Sequence, residues 1–241
     1  MTPHPASSCL AFDHLVVMLR DELEARSPAF EAAGYRLSPP GYHNLGSMNR
    51  LIVLDSSYIE LLGWPQGTEP KRKEIALQPL GLDALVFRSA HAEADQQRLA
   101  AAGFDVQPVS HLERPLEVDG ATAMARFRTV RFNTQPVDGL RVYYCEHLTP
   151  QHIWNEALCE HPNGVRRLHH IALSAPDAPA VADILARLAN TRVTEEDGRQ
   201  VIPLQNAVLT VRPAPGAAAA QIERVVLGLA DGTLKDFAFA L

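Results

Sequence analysis

Cysteine is scarce in this 241-residue chain: Cys9, Cys145 and Cys159 are far apart and odd in number. Such a set is no disulfide framework and fits reduced thiols in a cytosol. Clustered lysine and arginine are missing too. Lys and Arg total 22 against 28 Asp and Glu, a formal net charge of -6, whereas a nucleic-acid partner calls for a basic face. No apolar run approaches the roughly 18 residues of a membrane span. The opening M-T-P-H-P-A-S-S-C-L lacks the basic start and apolar run of a signal peptide. Nucleophile-elbow, P-loop, dinucleotide-fingerprint and CxxC patterns are absent. The expectation is a cytoplasmic, soluble protein with no nucleic-acid or membrane partner. Its 46% hydrophobic and 21% charged residues are ordinary for a globular chain of this length.

What is present is a repeat. Residues 12–17 read F-D-H-L-V-V, 82–87 read L-D-A-L-V-F and 168–173 read L-H-H-I-A-L. Each is followed by a segment with helical spacing, Asp21 to Ala33, Ala92 to Ala102 and Ala178 to Ala189. The first two end A-A-G-Y and A-A-G-F and the third ends at Asn190, residues that accept the left-handed conformation closing a helix. Strand-like runs follow each helix. They predict units at residues 10–66, 80–148 and 167–241, with a connecting helix and turn at 149–166. Thr149 is the expected N-cap of that helix and Pro150 its first residue. The fold class is α+β, with tandem β-α-β-β-β units.

Repeated β-α-β-β-β units carrying Asp13-His14-Leu15-Val16-Val17, His43-Asn44-Leu45-Gly46-Ser47-Met48-Asn49-Arg50-Leu51, Tyr58-Ile59-Glu60-Leu61 and His161-Pro162-Asn163-Gly164 resemble the vicinal oxygen chelate superfamily, and within it the glyoxalase-like domain proteins. Tyr42 stands where that pattern would have a second glycine before His43. The resemblance covers roughly residues 12–170. It implies two paired units whose sheets curl around a cavity, with metal ligands on the first and last strand of each. Carried over by position, the ligands are His14, Glu60 and Glu146, with Ala84 in the fourth place. Fe, Mn, Ni or Zn would suit such a set. Pairing of the third unit with the first would instead bring His14, His170 and Glu60 together.

Glu60 lies between Ile59 and Leu61 on an apolar strand, and a buried carboxylate there must be paired or coordinated. His14 is either a satisfied core residue or a site residue; Ala84 at its repeat position shows that the strand does not need it. His43, Asn49 and Arg50 surround a Gly46-Ser47 turn and are candidate substrate-binding groups, with His43 and Glu60 as candidate acid-base residues. Arg126 and Arg128 share a strand face that would attract an anion, or are solvated. Cys145 reads as core, and His147 and Trp154 as a helix start and an apolar anchor. The expected activities are a metal-dependent lyase, isomerase or dioxygenase acting on a small molecule. The alternatives are a metal-free small-molecule binding protein of the bleomycin-resistance type and a homodimer formed through the third unit.

Overall fold

The computed structural model describes residues 9–43, 46–70, 73–118 and 121–238; Asn44 and Leu45 lie outside them. The first unit comprises β1 (Phe12–Arg20), α1 (Leu23–Ala32), β2 (Gly41–Tyr42), β3 (Met48–Val53) and β4 (Tyr58–Gly63), and α2 (Lys73–Ala76) follows. The second comprises β5 (Gly81–Arg88), α3 (Ala92–Ala101), β6 (Ser110–Val118), β7 (Ala121–Val130) and β8 (Arg141–His147). After α4 (Glu156–Cys159), the third has β9 (Val165–Ala175), α5 (Ala178–Leu188), β10 (Thr194–Glu196), β11 (Arg199–Pro203), β12 (Val208–Pro213), β13 (Gln221–Leu229) and β14 (Leu234–Asp236).

The first two units share one eight-stranded sheet in the order β2-β3-β4-β1-β5-β8-β7-β6. β1 runs parallel to β4, β5 parallel to β8, and β1 antiparallel to β5, so the units are related by a local two-fold between β1 and β5. The edge strands β2 and β6 approach each other, curling the sheet nearly closed. The third unit builds its own six-stranded sheet, β10-β11-β12-β9-β13-β14. β1 is buried along all but its last residue. One face gives Val16 and Met18 to the inner lining, and the other gives Leu15, Val17 and Leu19 to the main core. A strand covered on both faces reads as a continuous apolar run.

That main core joins the outer face of the large sheet to α1, α3, α5 and the third sheet. Polar ties reinforce it. Asn206 accepts the Phe12 N–H at 2.8 Å and donates to the Phe12 carbonyl at 2.9 Å. The last turn of α5 presents the Leu188 carbonyl to the Tyr144 hydroxyl at 2.7 Å and to Arg98 at 3.2 Å.

The expected helix ends are found. Gly34, Gly103 and Asn190 have φ of 83°, 87° and 54°. The next N–H bonds back across the turn in each case: Tyr35 to Phe30, Phe104 to Leu99 and Thr191 to Ala186. The helix expected after Thr149 breaks into a 3-10 turn, Pro150–His152, and the single turn α4. The Thr149 hydroxyl accepts the Arg126 N–H at 2.8 Å rather than capping. Ile153 is buried and the Trp154 indole N–H donates to the Leu54 carbonyl at 3.1 Å, so packing of this pair overrides helical continuity.

Candidate functional site

The site begins with an irregularity in β1. Its register against β5 skips between Phe12 and His14, leaving Asp13 as an extra residue. A bulge of this kind re-aims side chains, and here neighbouring residues meet: His14 Nδ1 donates to Asp13 Oδ2 at 2.7 Å. Asp13 is fully buried. It also accepts from Arg88 Nε at 2.8 Å and His147 Nε2 at 2.9 Å. Burial opposes its ionisation, but the positive field of His147 and the hydrogen bonds from His14 and His147 prevail and hold it far below the usual carboxylate range.

With Nδ1 committed to Asp13, the other nitrogen of His14 faces the inside of the curled sheet. Nε2 lies 2.9 Å from the Tyr143 hydroxyl and 3.7 Å from Glu60 Oε2. The ring stacks on Tyr58 with centroids 4.4 Å apart. Burial pushes both Tyr58 and Tyr143 above the ordinary phenol range, so they stay protonated and Tyr143 can donate. Glu60 is buried, yet the His14 and His43 charges, the Asn49 amide at 2.6 Å and Arg141 hold it below the usual range, and it is ionised at neutral pH.

These groups line a cavity with about 70 Å³ of free volume. That holds several waters, so it is a cavity rather than a packed core. His43 lines it with Nδ1 2.9 Å from the Ser47 hydroxyl, and Asn49, Phe127 and Ile153 are also on the wall. Three arginines, Arg114, Arg131 and Arg141, face it. Arg141 forms a bidentate pair with Asp83, and Arg131 lies 4.9 Å over the Tyr143 ring.

Of the residues expected from the sequence, His14, Glu60, His43 and Asn49 therefore come together. Glu146 does not. Its carboxylate accepts the Ala92 N–H at the start of α3 at 2.8 Å and pairs with Arg128 at 2.6 Å, on the opposite face of the sheet. The register shows why. His14 pairs with Tyr58 and Ala84 with Arg141, so the residue level with Glu60 in the second unit is Tyr143. Glu146 is three residues further along, an odd step that reverses the face. Cys145 is buried in a hydrophobic cluster as expected and also lines the cavity, and burial pushes its thiol well above the ordinary range, so it is no thiolate nucleophile.

Arg50 turns out to Glu31 on α1 at 3.2 Å, Arg126 lies beside Glu113 on the exposed side, and Arg128 binds Glu93 and Glu146. None of these three lines the cavity. His170 belongs to the third sheet, where Nε2 meets the Thr210 hydroxyl at 2.7 Å, so the His14-His170-Glu60 set is not formed. His161 accepts the Arg36 N–H and donates to the Val53 carbonyl, which makes it a structural pin. Asp13, Tyr143, Arg114, Arg131 and Arg141 were not foreseen as site residues, and His147, read as a helix start, instead ends β8 and bonds Asp13; the one sequence signal for Asp13 was an acid beside His14 in an apolar strand.

Residues 12–189 match the sequence profile described as a glyoxalase-like domain. The chain belongs to that family. No curated protein matches it in sequence. Among solved structures, it is similar to a hypothetical protein from Staphylococcus aureus at 15% identity and a TM-score of 0.73, covering 95% of this chain and 99% of that one. It also resembles a xylose isomerase-like TIM barrel/4-hydroxyphenylpyruvate dioxygenase fusion protein at 16% identity and a TM-score of 0.59, over 95% of this chain and 38% of that one. A halotolerant catechol dioxygenase, BphC, aligns at 13% identity with a TM-score of 0.51, over 92% and 71% of the two chains. At these identities the likeness is one of fold, the curled-sheet fold of vicinal oxygen chelate proteins. Among the described residues, no helix is long and apolar enough to cross a membrane.

The metal implied by the superfamily finds a poor donor set here. His14 and Glu60 are near each other, but Ala84 has no donor, Tyr143 is a protonated phenol bonded to His14, and three guanidiniums face the same space. Asp13, Cys145 and His147 place donor atoms within 4.8 Å of one another. That carboxylate is already taken up by Arg88, His14 and His147. Neither set fits a tightly held divalent ion.

Proposed function

We propose that this glyoxalase-like protein binds a small anionic molecule in the curled-sheet cavity and moves a proton on it with His14. The observation that carries the reading is the buried Asp13-His14 pair at 2.7 Å, whose second nitrogen accepts from the Tyr143 hydroxyl and faces the cavity beside Glu60. An ionised carboxylate behind an imidazole fixes its tautomer and orientation. The Tyr143 hydroxyl, which burial keeps protonated, would turn from His14 to donate to a substrate oxygen on which charge develops, freeing the imidazole nitrogen to take the proton. A base beside such a donor suits proton abstraction next to a carbonyl, the step shared by isomerases and many lyases.

The test is solvent-deuterium incorporation into a panel of small carboxylic acids bearing an acidic C–H, followed by NMR. Protein stripped of metal should catalyse exchange, His14→Ala should lose it by about 100-fold or more, and Asp13→Asn should slow it. Exchange that survives His14→Ala contradicts the proposal. A second reading, a metal-dependent lyase, isomerase or dioxygenase, draws on the 3.7 Å approach of His14 to Glu60. Activity that vanishes with chelation and returns with one divalent ion, held stoichiometrically and lost in Glu60→Gln, would favour that reading.

A further inference from the structure

Arg114 and Asn49 are neighbouring cavity groups whose side-chain bonding among the described residues is incomplete. Arg114, on the edge strand β6, is only 5% exposed and lines the cavity. Among the described residues it has neither a hydrogen-bond partner nor an ion pair, whereas Arg141, Arg88 and Arg128 are all paired with carboxylates. Burial accordingly draws its guanidinium below the ordinary range. The field of Glu60, with no direct pair, opposes that burial only in part, and a desolvated guanidinium without a directly paired acid is costly unless a ligand supplies one.

Asn49, 4% exposed, spends its amide N–H on Glu60 at 2.6 Å. The ionised Glu60 fixes that orientation, because the reversed amide would set carbonyl against carboxylate. Its Oδ1 is then a buried acceptor with no donor. Both groups meet at Gly41, where the edges of the curled sheet come together. A Cβ there would overlap the Arg114 guanidinium and lie 2.7 Å from Asn49 Oδ1. The glycine leaves room for a cation and an acceptor side by side.

We infer that Arg114 and Asn49 together form a docking point for a 2-hydroxy or 2-amino carboxylate, the carboxylate on Arg114 and the adjacent hydroxyl or amine donating to Asn49 Oδ1. This deepens the cavity reading above and depends on it for the location of the ligand. A guanidinium matches a carboxylate with parallel N–H donors, and a lone acceptor beside it selects a neighbouring donor.

The test titrates the intact protein with glycolate, acetate and glycolamide by ligand-observed NMR. Glycolate should bind best. Acetate, without the hydroxyl, and glycolamide, without the charge, should each bind roughly tenfold or more weakly. Arg114→Met should weaken glycolate by about tenfold to a hundredfold, and Arg114→Lys should restore part of it. Both variants are checked for native circular dichroism, and a misfolded Met variant leaves the Lys variant and the ligand series to decide. Equal binding of glycolate and glycolamide, or wild-type glycolate affinity in either folded Arg114 variant, overturns the inference. His14→Ala should keep glycolate binding while losing proton exchange, so failure of the docking point and failure of the proton-transfer reading give different results.

Discussion

Asp13 has the most to lose from a single change. It is fully buried and joins Arg88, His14 and His147. Replacing it with Ala would leave the guanidinium and two imidazoles without their shared acid, and unfolding in urea should show a loss of about 3–5 kcal/mol. The same group sets an acid limit. Because its folded-state pKa lies below the unfolded value, the unfolded chain binds more protons on acidification. The contribution is complete above the unfolded value of about 4 and is lost as pH falls from there toward the folded pKa. Glu60 is shifted in the same direction. Melting temperature should therefore drop on going from pH 5 to pH 3, with a shallower slope in Asp13→Asn; equal slopes would contradict this. At this scale the sequence was half legible. His14 and Glu60 stood out as polar residues in apolar strands, and Asn49 and His43 as loop groups. Arg114 did not, because its strand, S-H-L-E-R-P-L-E-V, carries charges and a proline as a sheet edge does and lacks the apolar alternation that marks a strand.

Glu146 shows how an element's register decides a role. A carboxylate near the end of the last strand looked equivalent to Glu60, but equivalence follows strand pairing, and pairing puts Tyr143 there. Glu146 instead supports the first turn of α3, where His91 offers no side-chain cap. Glu146→Ala should cost about 1–2 kcal/mol in chemical denaturation and leave ligand binding in the cavity unchanged. Lost binding with unchanged stability would return Glu146 to the site. The helices themselves were legible because their ends are chemical: a glycine or asparagine with positive φ closes each of α1, α3 and α5. The bulge at Asp13 was not, since a strand one residue out of step reads like any other in sequence.

Across the whole molecule, the repeat in the sequence carried the fold class. What it did not carry was the arrangement of the third unit, which packs on the outer face of the large sheet. The core runs through both sheets and three helices, so the chain should unfold as one. Trp64 and Trp154 both belong to the part before β9. Their fluorescence should follow the same denaturant midpoint as far-ultraviolet circular dichroism; separate midpoints would mean that the third unit folds independently.

The central claim is that His14, backed by Asp13 in a cavity without a tightly held metal, moves a proton on a small carboxylic acid. Deuterium incorporation by chelator-treated protein, measured side by side for the wild type and His14→Ala, tests it most directly. The account predicts exchange in the wild type and its loss in the variant; exchange that is absent until a divalent ion is added back, or equal in both proteins, would contradict it.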